Sequence, residues 1–159
     1  MIKPYTGFWR NDKLRQISVP LSAQIDVCVK SNFTNGKGQL LDCLGALAEN
    51  ATDDSLLKSI NLNILMHTRS EDAGVRIFAL SCSNSIWRSN GGKLIGMCYF
   101  FLLVWGIWMH TLAAFLPGFV AETATFIAEC GEDDNDTVVK ESFKLKETVE
   151  SIAGTIEGL

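Results

Sequence analysis

The chain has 159 residues, 47% of them hydrophobic and 20% charged, with a formal net charge of −4. That is enough chain to bury a core in one domain, and too apolar a composition for a disordered segment. Five scattered cysteines, odd in number and never in a CxxC pair, argue against a disulfide frame or a zinc site and suit buried thiols in a reducing compartment.

Charge is distributed unevenly. Residues 1–93 hold eleven Lys or Arg against eight Asp or Glu, whereas residues 94–159 hold three against ten. A nucleic-acid contact is therefore expected in the N-terminal part, with Arg10, Lys13, Arg15, Lys30 and Lys37 as its candidates, although they form no dense cluster with aromatics.

The first sixteen residues mix aromatic, basic and polar types without a period and read as a lead-in loop lacking the apolar core of a signal peptide. Periodicity begins at Ile17. Pro20 suits a first helical turn, and Leu21, Ile25, Cys28 and Val29 recur at helical spacing. A breaker cluster, Asn32 to Gly38, is expected to separate this helix from a second over about 39–50, with Leu40, Leu41, Leu44, Leu47 and Ala48 on one side. A third should start at Asp53 or Asp54, whose carboxylate can cap free amides, and present Leu57, Ile60, Ile64 and Leu65 up to about His67.

After the turn Thr68-Arg69-Ser70-Glu71, a fourth helix opens at Asp72 with Val75, Phe78, Ala79, Cys82 and Ile86 inward, and should close before Asn90-Gly91-Gly92. Residues 94–121 contain no Asp, Glu, Lys or Arg, a run long enough for a membrane-spanning helix, since a bilayer core needs about twenty apolar residues. Residues 122–130 return to a helical pattern, 131–136 make an acidic turn, and a last helix over about 137–153 should bury Val138, Val139, Phe143, Val149 and Ile152. Period-two alternation is missing throughout, so the expected class is all-α.

Asp72-Ala73-Gly74-Val75-Arg76 and Asp136-Thr137-Val138-Val139-Lys140 share the order Asp, two residues, Val, cation. The carboxylate would cap the helix, the valine enter the core and the cation reach an adjacent turn. With Ala79 soon after, this resembles the second helix of a HEAT repeat, an antiparallel helix pair that stacks into a solenoid. The two copies lie 64 residues apart, against a HEAT period of about 40 to 47. Setting aside residues 97–118 shortens the spacing to 42, and joining Gly96 to Phe119 places Leu94, Val120, Ala124 and Ile127 on one helical face opposite Glu122, Thr125 and Glu129. The apolar run then reads as an insert. Gly96-Met97-Cys98 is encodable as GGU-AUG-UGU, which holds a splice-donor sequence, so a retained intron is one origin for it.

Outside the insert the residues Gly7-Phe8-Trp9-Arg10, the block from Thr52 to Asn61, Leu65-Met66-His67-Thr68-Arg69-Ser70-Glu71-Asp72, Trp87-Arg88-Ser89, Gly92-Lys93-Leu94 and Glu122 to Cys130 resemble the extreme C-terminus of the U three small nucleolar RNA-associated protein ten family (HEAT repeat-containing protein one in animals), the giant HEAT-repeat scaffolds of the small-subunit processome. The resemblance implies a nucleolar, non-enzymatic scaffold in ribosome biogenesis. Its implied partners are other processome subunits and, through the complex, pre-rRNA and U three small nucleolar RNA.

The remaining motifs are weak. His67 and His110 stand apart, with no GxSxG and no HExxH; Gly36-Lys37-Gly38 lacks phosphate-loop spacing, and residues 132–136 lack the Gly and Glu that a calcium loop requires. No catalytic residue, cofactor or metal is expected. The expected architecture is a lead-in at 1–16 followed by HEAT-like helix pairs over 17–159, with one long apolar helix from the insert. Asp72, Val75, Arg76, Ala79, Asp136, Val139 and Lys140 are its structural residues. The alternative is a small single-pass membrane protein anchored by residues 94–116, with Arg88 and Lys93 keeping the N-terminal side cytosolic.

Overall fold

The computed structural model describes residues 10–31, 34–105 and 118–156, with the side chains of 34, 54, 92–105, 118 and 119 outside the description. The elements are α1 (Asn11–Ser22), α2 (Gln24–Lys30), α3 (Thr34–Asn50), α4 (Asp54–Leu65), a 3-10 turn (Met66–Arg69), α5 (Ala73–Trp105), α6 (Gly118–Gly131) and α7 (Asp136–Ala153). Among the described residues there is no strand, so the fold is all-α.

Several boundaries differ from expectation. Helix begins at Asn11, inside the expected lead-in, because Leu14 already enters the core and is fully buried; residues 1–9 lie outside the described ones. Pro20 sits inside α1, not in its first turn. Proline has no N–H and its ring presses on the preceding turn. The helix ends at Ser22, and Gln24 turns its side-chain amide back onto the Pro20 carbonyl at 3.4 Å. Gly36 and Gly38 are helical in α3, and Gly91 and Gly92 are helical in α5. At Gly91 the reason is packing: a Cβ there would meet Ile152 Cδ1 at 2.9 Å and Trp87 Cε3 at 3.0 Å. A glycine fits here because α7 comes this close.

Among the described residues the apolar run supplies no separate long apolar helix. Its first part, to Trp105, extends α5, its last residues open α6, and residues 106–117 lie outside the described ones. No helix among the described residues is long and apolar enough to cross a membrane. The Ala73–Asn90 portion of α5 is packed on two sides.

Packing follows two rows. α1 lies on α4 and α4 on α6; α3 lies on α5 and α5 on α7. Neighbours within a row run parallel, as paired contact points show: Asn11 meets Thr52 and Asp26 meets His67, Lys58 meets Glu122 and Arg69 meets Glu129. In the other row Lys37 lies over the Phe78 ring while Asn90 donates to the Ala48 carbonyl. Short links turn each helix of one row back into the other, so α1–α2 with α3, α4 with α5, and α6 with α7 form three successive pairs.

α5 is the shared wall. Val75, Phe78, Ala79, Cys82 and Ile86 close a core with Leu14, Ile25, Leu40, Leu44, Leu57, Ile60 and Ile64. Its other side supplies Leu80 and Trp87 to a second core with Val120, Phe126, Ile127, Val138, Leu145 and Val149. Each aliphatic side chain so buried contributes about 1.5–3 kcal/mol from removal of apolar surface from water. Phe143, expected inside, is 52% exposed. Val138, Ser142, Leu145 and Val149 define the buried stripe of α7 at steps of four, three and four, and Phe143 falls well off it.

Candidate functional site

The junction between the second and third pairs concentrates the charged and polar contacts. Asp72 precedes α5 and accepts from the Gly74 amide at 2.7 Å, while its own amide donates to Ser70 Oγ at 3.3 Å. One step into the helix, Val75 is fully buried. Arg76 then turns back. Its Nη1 donates to the carbonyls of Ser70 at 2.9 Å and Glu71 at 3.0 Å. Its Nη2 donates to Asp133 Oδ1 at 2.9 Å, and Nε lies 2.8 Å from Asp133 Oδ2. The guanidinium thus ties the turn before α5 to the turn between α6 and α7. Asp133 in turn accepts from the Asn135 amide at 2.9 Å. Removal from water works against its charge, but the Arg76 hydrogen bond, the Asn135 amide and the Arg76 charge outweigh this and hold the carboxyl below its ordinary range.

Two more contacts cross the same junction. Arg69 grips Glu129 with both ends, at 3.1 and 2.8 Å, and lies 4.7 Å over the Phe126 ring centroid. Lys58 pairs with Glu122 at 2.9 Å. In all three cases the cation belongs to the second pair and the carboxylate to the third. Beneath them Asn61 Nδ2 donates to Thr123 Oγ1 at 2.9 Å and Ser83 Oγ donates to Asn61 Oδ1 at 2.8 Å. This buried network fixes the register of α4, α5 and α6, since a slip would strand polar groups away from water.

Between α1 and α4 the charged contacts are more exposed. Arg15 reaches Ser55 Oγ at 3.2 Å and Asp53 Oδ2 at 3.5 Å. Asp53 caps α4 through the Ser55 amide at 3.1 Å, and hydrogen bonds from Ser55 lower its carboxyl.

Of the expected residues, Asp72, Val75, Arg76 and Ala79 come together at the start of α5, with Ala79 fully buried. The third pair needs a correction. The cap of α7 is Asn135, which accepts from the Thr137 and Val138 amides; Asp136 is exposed in the first turn, Val139 is half-buried and Lys140 is exposed. A cap needs extended backbone one residue before the helix, and Asn135 has it at φ −100° and ψ 110°. The matching register is therefore 63 residues, not 64. In it Asp72 corresponds to Asn135, and Val75, Ala79, Cys82 and Ile86 correspond to Val138, Ser142, Leu145 and Val149, every one of them at most 1% exposed. Leu57, Ile60 and Ile64 correspond in the same way to Val120, Thr123 and Ile127, all buried.

The candidate RNA-contact residues do not converge. Arg10, Lys13 and Arg15 lie at the start of α1, where Arg10 pairs with Asp12 at 3.5 Å and Arg15 is held by Asp53. Lys30 and Lys37 lie at the far end of the first pair, Lys37 over Phe78. Sequence reasoning missed Asp133, Asn135 and the Arg69–Glu129 clasp. A one-residue shift in the alignment of the two helix starts would have found the asparagine cap.

No family model matches this chain. No solved structure matches it either.

Proposed function

We propose that the chain is a non-enzymatic scaffold fragment, a HEAT-like piece of α-solenoid acting in the nucleolus within the small-subunit processome. It works in pre-rRNA processing by surface contact with other processome subunits and, through the complex, with pre-rRNA and U three small nucleolar RNA. One observation carries the repeat part of this reading: the last two helix pairs coincide in the cap of their second helix and in buried positions at a single offset, and like helices lie parallel in rows. Repeat arrays are built in this way, each unit burying its apolar face on the next. Without residues 97–118 the offset becomes 41, inside the HEAT range of about 40 to 47. The resemblance of residues 52–72 and 122–130 to the processome scaffold family supplies the rest.

The test uses the tagged chain, as written and lacking residues 97–118, expressed in cells. Nucleolar location and enrichment of the 5′ external transcribed spacer in the purified material are expected, more strongly for the shortened chain. Recovery in membranes, or without that RNA, contradicts the proposal. Transcript sequence across codons 96–119 separately tests the intron origin, which requires a GU…AG pair around the insert.

A further inference from the structure

Three of the five large apolar side chains most exposed among the described residues lie on one two-helix segment: Ile17 at 38%, Val19 at 60% and Val27 at 53%. Val19, Ala23 and Val27 are four residues apart and so share one face, which lies opposite the buried Leu14, Ser18, Ile25 and Cys28. The stripe is small in relief, since Pro20 and Ala23 are its central exposed residues. Another helix can approach it closely. Its two ends carry opposite charge, exposed Asp12 at one and exposed Lys30 at the other.

We propose that this face of α1 and α2 is the interface of a homodimer in which two copies pack antiparallel about a two-fold axis near Pro20–Ala23. The charge placement selects the orientation. Parallel packing would set Asp12 against Asp12 and Lys30 against Lys30. Antiparallel packing sets Asp12 against the partner's Lys30 at both ends, Gln16 against the partner's Val27, and Val19 against the partner's Ala23. A two-fold interface repeats every such contact, so one complementary face suffices. Asp12 has a competing partner in Arg10, but that contact is long and highly exposed, at 3.5 Å with side chains 75% and 62% accessible, and yields at little cost. The interface uses the outer face of the first pair and no residue of the junction between the second and third, so its failure would leave the Arg76–Asp133 contact and the matched register untouched.

Sedimentation equilibrium on the full chain tests it. A concentration-dependent dimer is expected. Val19→Glu should weaken it by about a hundredfold or more, because both copies would place a carboxylate in the apolar contact. Asp12→Lys and Lys30→Asp should each weaken it about tenfold, since each sets two like-charged contacts. The Asp12→Lys/Lys30→Asp double variant should restore it. All these positions are exposed, and far-ultraviolet circular dichroism checks that each variant keeps its helices. A single-chain mass at every concentration overturns the proposal. So does a dimer insensitive to Val19→Glu, which would place association elsewhere, or a charge exchange that fails to restore affinity.

Discussion

Arg76 shows how one side chain can hold two helix pairs together. It is largely buried; its Nη groups donate to two carbonyls before α5 and to Asp133 Oδ1, and Nε lies 2.8 Å from Asp133 Oδ2. Asp133 answers with a depressed carboxyl pKa, and the sign of the resulting pH dependence follows. A carboxyl more acidic in the folded chain than in the unfolded one stabilises the fold above its unfolded value of about 3.9, and this contribution is lost as pH falls through the folded value. Urea midpoints measured from pH 6 down to pH 2.5 should fall through the acid limb. Asp133→Asn should start lower and fall less steeply; an acid limb as steep as that of the native chain would remove Asp133 from the account. Thiols offer a second residue-scale test. Burial, and to a smaller degree Cys28 nearby, push the Cys82 thiol far above its ordinary range, and burial raises Cys130. The thiolate is the reactive form, so maleimide followed by peptide mapping should label exposed Cys43 in the folded chain and reach Cys28, Cys82 and Cys130 only in denaturant.

Two glycines in helices separate local propensity from packing. Gly38 in α3 has nothing within 4 Å of a built Cβ, so Gly38→Ala should raise stability by up to about 1 kcal/mol through helix propensity alone. Gly91 in α5 is pinched between Ile152 and Trp87. There the overpacking cost of about 1–3 kcal/mol exceeds the propensity gain, and Gly91→Ala should lower the thermal midpoint. Equal shifts of the same sign would contradict the close approach of α5 and α7. The same pair marks the limit of what was legible in the sequence. The apolar faces of α4 and early α5 were readable because Leu57, Ile60, Ile64, Leu65, Val75, Phe78, Ala79, Cys82 and Ile86 keep strict helical spacing, and all are buried. The helix ends were not, since a glycine reads as a stop until the neighbour that needs its missing side chain is known. Asp133 was illegible for a related reason: it lies 57 residues from Arg76, and nothing local to either announces the contact. Phe143 misled because its hydrophobicity outweighed its position off the stripe that Leu145 completes.

Across the whole molecule, α5 gives one face to each core, whereas the corresponding face of α7 is different in character. Ile77, Leu80 and Trp87, which pack toward the third pair, correspond at the 63-residue offset to Lys140, Phe143 and Glu150 in α7. That face is mainly charged and takes no further pair among the described residues. Leu80→Ala should therefore cost about 2–5 kcal/mol by opening a cavity, whereas Phe143→Ser should change stability by no more than about 0.5 kcal/mol; comparable losses in chemical denaturation would mean that α7 is covered on both sides. Everything rests on the second and third pairs standing side by side, clasped through Arg76. A double-mutant cycle in urea with Arg76→Ala, Asp133→Ala and their combination measures that contact directly. Each single change should cost stability, and the combination should cost less than their sum by about 2 kcal/mol, as for residues sharing one buried ion pair. Additivity within about 0.5 kcal/mol would mean that the two residues do not meet, and the stacked arrangement would fail with them.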